Sequence, residues 1–428
     1  MDNINLKDLS SKQIKNMLDM VENMDIKKKY NPITTPAHTL EEALQRKHKF
    51  WKTQPVPHLT EDINNSEAIE KDKSISEIKD TPYALPNGFE WSALDLNSQN
   101  DTNDMIDFLN MYYVEDSDNT FRLNYTPEFL IWSLTYTSSK NDDLIFCARV
   151  SETKKMVGLI TGVIIDMCIK EKEIKMADID YLCIHPKLRN KGMASLLIKE
   201  VTRRVNKKGY FQAIYGGTRY LPKPICTAKY YHRPIDVKKL IETGFLSLPN
   251  DGTLDGALKF FSIESMRLTN GFRPLEEKDI DSAFQVLADF LTKYDCYQVF
   301  NKDTFTRIFY NNPHVTAFVI EKEGEIVDFA SYYKQNSKVL KPDKYEYISE
   351  GYLYYTTNNF TTLYSLGKSL LLMAQMENLD VFNVIDIMDN IEMIDSLRFT
   401  HGTGILHYYL FNWKFPETTP SRLAKYIL

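Results

Sequence analysis

The chain has 428 residues, 43% of them hydrophobic and 12% aromatic, and a formal net charge of −6; that is enough for one large or two ordinary packed domains and argues against a general nucleic-acid coat or a DNA partner. No apolar run approaches the ~20 residues of a membrane span, and the opening MDNINLKDLSSKQ lacks the apolar core of a secretory signal. The cysteines, at 147, 168, 183, 226 and 296, have no paired metal spacing, so no metal site is expected and a reducing, cytoplasmic compartment is.

Residues 1–30 are polar, with a weak helical pattern, and read as a marginal helix or a disordered arm. Lys27-Lys28-Lys29 leaves two readings open, a solvated run or a transient contact with a membrane or ribosomal surface. Thr39 caps a short helix at Leu40–Ala43. Phe50-Trp51 and the proline-held TQPVPHL stretch need burial or a ligand. Residues 60–80 read as a charged loop, and PYALPNGFEW (82–91) as an irregular, aromatic-rich wall. Helices are expected at Asp104–Tyr113 and Pro127–Leu134. Between them, Glu115, Asp116 and Asp118 precede Phe121 and Tyr125; this is an acidic turn or a seat for a basic peptide.

Strands follow at Leu144–Val150 and Met156–Asp166. The stretch ADIDYLCIHPKLRNKGMASLLIKEVTRRVN (177–206) then changes period. Its first part alternates, with Ile179, Tyr181 and Cys183 on one side of a strand. Pro186 ends that element. From Met193 the spacing is helical, through Leu196, Leu197, Glu200, Val201 and Val205. Between strand and helix lie Lys187, Arg189, Lys191 and Gly192. A basic turn that opens a helix is a plausible anion site, because the first amides of a helix have no internal partner; a solvated loop is the alternative.

After a strand at Phe211–Tyr215, Gly216-Gly217 and two prolines break the chain. A helical approach is expected over 228–231, and a helix at Val237–Ile241. Near residue 260 the order begins again: strands at Thr316–Glu321, Ile326–Tyr333 and Tyr345–Thr356, a helix at Leu363–Glu377, and a strand at Val381–Asp386. The repeat of strand, strand, strand, helix, strand implies two similar halves, 31–260 and 261–428. Only the first carries the basic turn, since TTNNFTT (356–362) replaces HPKLRNKG. FTHGTGILHYYLFNW (399–413) reads as a late strand, and the apolar pair Ile427-Leu428 could turn inwards.

A coenzyme A pyrophosphate on the basic turn would place a thioester near Tyr181 and Leu182, whose amides could polarise its carbonyl if a bulge frees them from the ladder. The base for an amine acceptor could be a carboxylate, the chain-terminal one included, or His185, His232, His401 or His407. An acyl-enzyme at Cys183 is conceivable, but a buried small filler is the better reading.

FWKTQPVP (50–57), YALPNGFEW (83–91), YYVEDSDNTFR (112–122), YTPEFLIW (125–132), the 178–205 stretch, LPKPICTAKYYHR (221–233), DVFNVIDIMDN (380–390) and the 399–413 stretch together resemble the eukaryotic glycylpeptide N-tetradecanoyltransferases, from about Lys29 to Leu428. The resemblance implies an α/β (α+β) fold of two pseudo-symmetric acyl-CoA N-acyltransferase-like halves around a saddle-shaped mixed sheet. It implies transfer of a C14 acyl group from myristoyl-CoA, a substrate and not a resident cofactor, to the amine of an N-terminal glycine, without an acyl-enzyme. By the same resemblance, the amides of Tyr181 and Leu182 form the oxyanion hole and the Leu428 carboxylate is the base. Lys187, Arg189, Asn190, Lys191, Gly192, Met193 and Ala194 hold CoA phosphates, and Phe50 and Trp51 line that site. Asp116, Asp118, Phe121, Tyr125, Thr227, Tyr230, His232, Tyr352 and Asn383 form the peptide groove. A monomer is expected. The chain departs from the family pattern at Asp178 and Asp180 (usually Glu and Asn), Tyr181 (usually Phe), Gly192, Ser195, His48 and Thr403, the last in place of an aspartate.

Overall fold

The structure is a computed structural model and describes residues 37–113, 120–137, 142–249 and 252–428. The N-terminal arm, Glu115, Asp116 and Asp118 lie outside the described residues. The first half contributes strands β1 (Phe89–Ala93), β2 (Phe121–Asn124), β3 (Ile145–Val150), β4 (Met156–Ile169), β5 (Lys172–Ile184), β6 (Ala213–Gly217) and β7 (Cys226–Pro234). The second contributes β8 (Phe272–Pro274), β9 (Cys296–Val299), β10 (Val315–Lys322), β11 (Glu325–Val339), β12 (Tyr347–Thr356), β13 (Val381–Ile385), β14 (Thr400–Phe411) and β15 (Leu423–Ala424).

These strands join in one 15-stranded mixed sheet with the main order β1-β3-β4-β5-β6-β14-β7-β13-β12-β11-β10-β8. The order is nearly palindromic between halves. β5 and β6 pair in parallel across the helix Met193–Lys207, and β12 and β13 pair in parallel across the helix Leu363–Met376. One late strand of each half, β7 and β14, is exchanged. β14 lies on β6, β7 lies on β13, and the two pair antiparallel at the middle. Neither half can therefore complete its own ladder without the other.

Local chemistry accounts for the elements. β4 is buried along nearly its whole length, as a strand covered on both faces must be. Thr39, Ser98 and Thr126 each accept a hydrogen bond from an amide in the first turn of the helix that follows. The helix Met193–Lys207 buries Met193, Leu197, Val201 and Val205 against β3 and β4. Its polar interruption, Glu200, is fully buried and bound by Arg203 and Arg204 at 2.7 and 2.8 Å. Burial works to raise the Glu200 pKa, but these two guanidinium groups and the Tyr83 amide outweigh it. The helix Leu363–Met376 covers the second half with Leu363, Leu366, Leu370 and Leu371.

Two expectations fail. Residues 228–231 form no helical approach but part of β7, because their backbone is claimed on both sides by β13 and β14. Ile179, Tyr181 and Cys183 do not share one face. Tyr181 and Cys183 pack into the large central core, whereas Ile179 packs beneath the helix Met193–Lys207. A bulge between them resets the alternation.

Candidate active site

That bulge is the centre of the site. Leu159 pairs with Cys183 and Thr161 with Asp180, so Ile160 alone stands opposite Tyr181 and Leu182. Tyr181 takes φ +53°, a left-handed conformation that a bulky residue adopts only under constraint. The constraint is visible. Its side chain is 1% exposed and its hydroxyl pairs with Ser133 Oγ at 2.9 Å. Burial pushes the nearby Tyr113 phenol up, Asp180 and Cys183 add to it, and a backbone hydrogen bond with Tyr181 works against them. The Tyr113 and Tyr181 rings lie 5.8 Å apart, which sets Tyr113 against the bulge.

Tyr181 and Leu182 line a cavity of about 590 Å³ that also takes in Leu428 and Ile427. On one side its wall is apolar, with Trp51, Ile179, Ile198, Val201 and Phe411. Trp51 stacks on Tyr215 at 5.9 Å, and Tyr215 on Tyr409 at 5.1 Å. On the other side lie Tyr113, Tyr125, Tyr230, His232, Tyr333, Tyr352 and Thr403. A side chain on Gly216 would press on Leu406 and Ile427, so a glycine lets the chain end approach β6.

The second side is organised by a buried relay. The Glu350 carboxylate accepts from Tyr352 Oη at 2.9 Å and from Asn383 Nδ2 at 2.6 Å. Because Glu350 can only accept, the Asn383 amide oxygen must face His232 Nδ1, 2.6 Å away. Nδ1 of neutral His232 therefore carries the proton, and Nε2 is left as an acceptor beside Gly402. A methyl at Gly402 would overlap that nitrogen. Asn383, fully buried, thus orients His232 and does not itself line the cavity. Two other expected groove residues stand behind it. Thr227 meets His407 Nδ1 at 2.8 Å, and Phe121 packs edge-on against Phe245, which in turn meets His232.

The basic turn joins β5 to the helix Met193–Lys207, outside the cavity lining. Asn190 and Gly192 take φ of +64° and +86°, which folds the turn back on the helix start. Gly192 provides no side-chain cap to that helix. Arg189 is committed in part, donating from Nε to the Ile184 carbonyl at 3.0 Å and to the Tyr112 carbonyl at 2.6 Å. Burial and the charge of Lys187 hold Lys191 below the usual lysine range. Met193 is buried under the helix, Ala194 lies at its first turn, and Phe50 supports Trp51 edge-on at 5.1 Å.

The other candidate bases separate by environment. His185 is pulled down to about 4 by burial, Lys187 and Arg189, so it stays neutral, and its Nδ1 accepts from the Lys187 amide. His407 is buried against Thr227 and Tyr220, and His401 lies against Tyr231. Cys183 is 2% exposed in the core, as expected of a filler. His48 is tied to the Ala43 carbonyl at 2.7 Å. Sequence reading missed three features: the relay through Glu350, the cavity role of Gly216-Gly217, and the pairing of Tyr113 with the bulge. Only the aromatic run around Tyr113 hinted at any of them.

A bulged strand, a basic helix start and one apolar cavity open to a polar groove together define an acyl-CoA-dependent transferase. Two family models match: the N-terminal domain of myristoyl-CoA:protein N-myristoyltransferase over residues 68–228 and its C-terminal domain over 242–425. Glycylpeptide N-tetradecanoyltransferase of Plasmodium falciparum is 38% identical over 384 residues, 89% of this chain and 93% of that protein. The protein of the same name from Drosophila melanogaster is 38% identical over 383 residues, 89% of this chain and 81% of its own. The crystal structure of Saccharomyces cerevisiae N-myristoyltransferase with bound myristoyl-CoA aligns with a TM-score of 0.85 and 32% identity, over 89% of this chain and 99% of that one. The chain belongs to the N-myristoyltransferase family.

Proposed function

We propose that the cavity at the bulge is where the thioester and the glycine amine meet. The enzyme transfers the myristoyl group of myristoyl-CoA to the α-amine of an N-terminal glycine. In the proposed arrangement the apolar side holds the acyl chain and the tyrosine-rich side holds the peptide. The amides of Tyr181 and Leu182 receive the thioester carbonyl as it becomes an oxyanion. The Leu428 carboxylate takes the amine proton in the same desolvated space. The carbonyl then re-forms and CoA thiolate leaves, with no acyl-enzyme.

Lys187, Arg189 and Lys191, with the amides of Asn190, Gly192, Met193 and Ala194, hold CoA phosphates, and Phe50 and Trp51 flank the route inwards. Tyr125, Tyr230, His232 and Tyr352 receive the peptide, with Asn383 setting the His232 tautomer and Phe121 and Thr227 supporting the wall. Asp116 and Asp118 would supply the charge for a basic peptide residue. The two units run over 31–260 and 261–428. No helix among the described residues is long and apolar enough to cross a membrane. We read the enzyme as a cytoplasmic monomer, with Lys27-Lys28-Lys29 either a solvated run or a transient contact with a membrane or ribosome.

The observation that carries this reading is the presence of Tyr181, Leu182 and Leu428 around one cavity, with Tyr181 and Leu182 on the bulge of β5. The test is CoA release with myristoyl-CoA and a glycine-start peptide, beside the same peptide acetylated at its amine. Reaction of both peptides alike would overturn the glycine assignment. Deleting Leu428 should cut the single-turnover rate by about a hundredfold or more and leave myristoyl-CoA affinity within about twofold; equal loss of both would mean structural damage.

A further inference from the structure

Next to the bulge the core holds an unbalanced charge cluster that the reaction above does not use. Asp178 and Asp180 stand two apart on β5. A single buried lysine, Lys425, reaches in from the segment after β15. Its Nζ lies 2.6 Å from Asp178 Oδ2 and gives a second hydrogen bond, also of 2.6 Å, to the Tyr426 carbonyl. Lys425 and Asp178 are 2% and 4% exposed at their side chains. Asp178 Oδ1 is buried with no hydrogen-bond partner. Asp180 lines the cavity, and among the described residues its carboxyl makes no hydrogen bond or ion pair. Its main-chain carbonyl accepts from Thr161 Oγ1 at 3.1 Å.

With both carboxylates ionised, the cluster has two negative charges and one positive. A buried, uncompensated charge is costly, so the cluster must take up a proton or a second cation. Among the described residues no cation other than Lys425 is paired with it. Tyr113, Tyr125, Tyr136, Tyr181 and Tyr354 are the titratable groups that feel Asp180, and all are neutral phenols. Leu428 lines the same cavity. The unmet charge opens onto the one space through which a glycine ammonium would enter.

We propose that Asp180 is an ammonium-binding carboxylate, and that the incoming α-ammonium of the substrate glycine is the missing cation of the Asp178–Asp180–Lys425 cluster. The inference rests on the acyl-transfer reading of this cavity. Without substrate, burial and Asp178 push the Asp180 carboxyl well above the usual carboxylate range, against the pull of Lys425, which favours its protonated form. The ammonium displaces that proton and is fixed beside the bulge. Peptide affinity then rises with pH through the Asp180 ionisation. An acetylated amine has no charge to offer and gains nothing.

The test is Asp180→Asn, which keeps shape and removes the charge. At pH 8 the KM for a glycine-start peptide should rise about tenfold, the equivalent of about 1.4 kcal/mol, with kcat changed less than about threefold and myristoyl-CoA affinity unchanged. The ratio of parent to variant kcat/KM should shrink towards one as the pH falls. Asp178→Asn, which releases Lys425 to Asp180, should move that convergence to lower pH. Calorimetric binding of the free-amine and acetylated peptides to the myristoyl-CoA complex separates this inference from the activity itself: only the charged peptide should lose affinity in Asp180→Asn. A ratio constant with pH, or equal loss for both peptides, overturns the role of Asp180. Absence of transfer by the parent enzyme would overturn the reaction and leave the binding comparison to decide Asp180.

Discussion

The two halves build the same junction and fill it differently. In the first, His185 follows β5 and its amide bonds the Val157 carbonyl at 3.0 Å; in the second, Thr357 follows β12 and its amide bonds the Phe329 carbonyl at 2.8 Å. Each junction leads to a helix packed on the sheet. In the second half the loop amides of Asn359, Phe360 and Thr361 donate to the Asp328 carboxylate at 2.7, 3.1 and 2.7 Å, and the Thr357 hydroxyl adds a fourth bond at 2.9 Å. Asp328 is fully buried on β11, and by the shared register its counterpart on β4 is Met156. The second half thus carries its own anion before its helix. The first half has an apolar residue there, a loop two residues longer, and three basic side chains. The junction is satisfied internally on one side, and on the other it is the turn we propose for the CoA phosphates.

Breaking the internal anion should have the largest effect. Asp328→Ala would take the shared carboxylate away from three loop amides and the buried Thr357 hydroxyl and should destabilise the fold by about 3–5 kcal/mol, read as a lower urea midpoint. Once folded at low temperature, the variant should bind myristoyl-CoA as the parent does.

His185 tests the ligand side through pH. An unfolded imidazole titrates near 6.5 and His185 near about 4, so between those values the unfolded chain binds the extra proton. Stability from this group is whole above about pH 6.5 and is lost as the pH falls towards 4, by on the order of 3 kcal/mol. His185→Gln should remove that share of the acid sensitivity in urea melts at pH 5 and 7. Thr357→Ser, at the matching place, should leave the pH dependence unchanged.

The paired variant Lys187→Ala with Lys191→Ala should weaken myristoyl-CoA by about ten- to a hundredfold and flatten its salt dependence. Adding lysines at Thr361 and Thr362 should create no second site, because Asp328 already occupies those amides. The smallest effect is expected at Gly192. A methyl there would touch nothing within 4 Å, yet the φ is +86°. Gly192→Ala should therefore cost only about 1 kcal/mol in stability and less than about threefold in CoA affinity.

Much of the site was legible because its parts are local. The basic turn and the helix stripe from Met193 to Val205 are short-range patterns, and a 3.6-residue period survives any tertiary arrangement. The repeat of elements between halves was legible for the same reason. The bulge was not. It depends on Ile160 facing two residues of the next strand, and the alternation of Ile179, Tyr181 and Cys183 conceals it. Nor was β7, whose YYHR run becomes a strand only between β13 and β14.

By itself the sequence determined the two-fold repeat, the basic turn found only in the first half, and, through its long matching segments, the family and its reaction. The exchange of β7 and β14, the meeting of Leu428 with Tyr181, the filling of the second junction by Asp328 and the charge deficit around Lys425 were decided by the tertiary structure alone. The physical reason is range. Period, capping and turn chemistry act between near neighbours, whereas a freed amide, a buried charge or a closed ladder depends on which distant segment supplies its partner. The 177–206 stretch specified a strand, a turn and a helix; residues 160, 425 and 428 decided what its bulge could do.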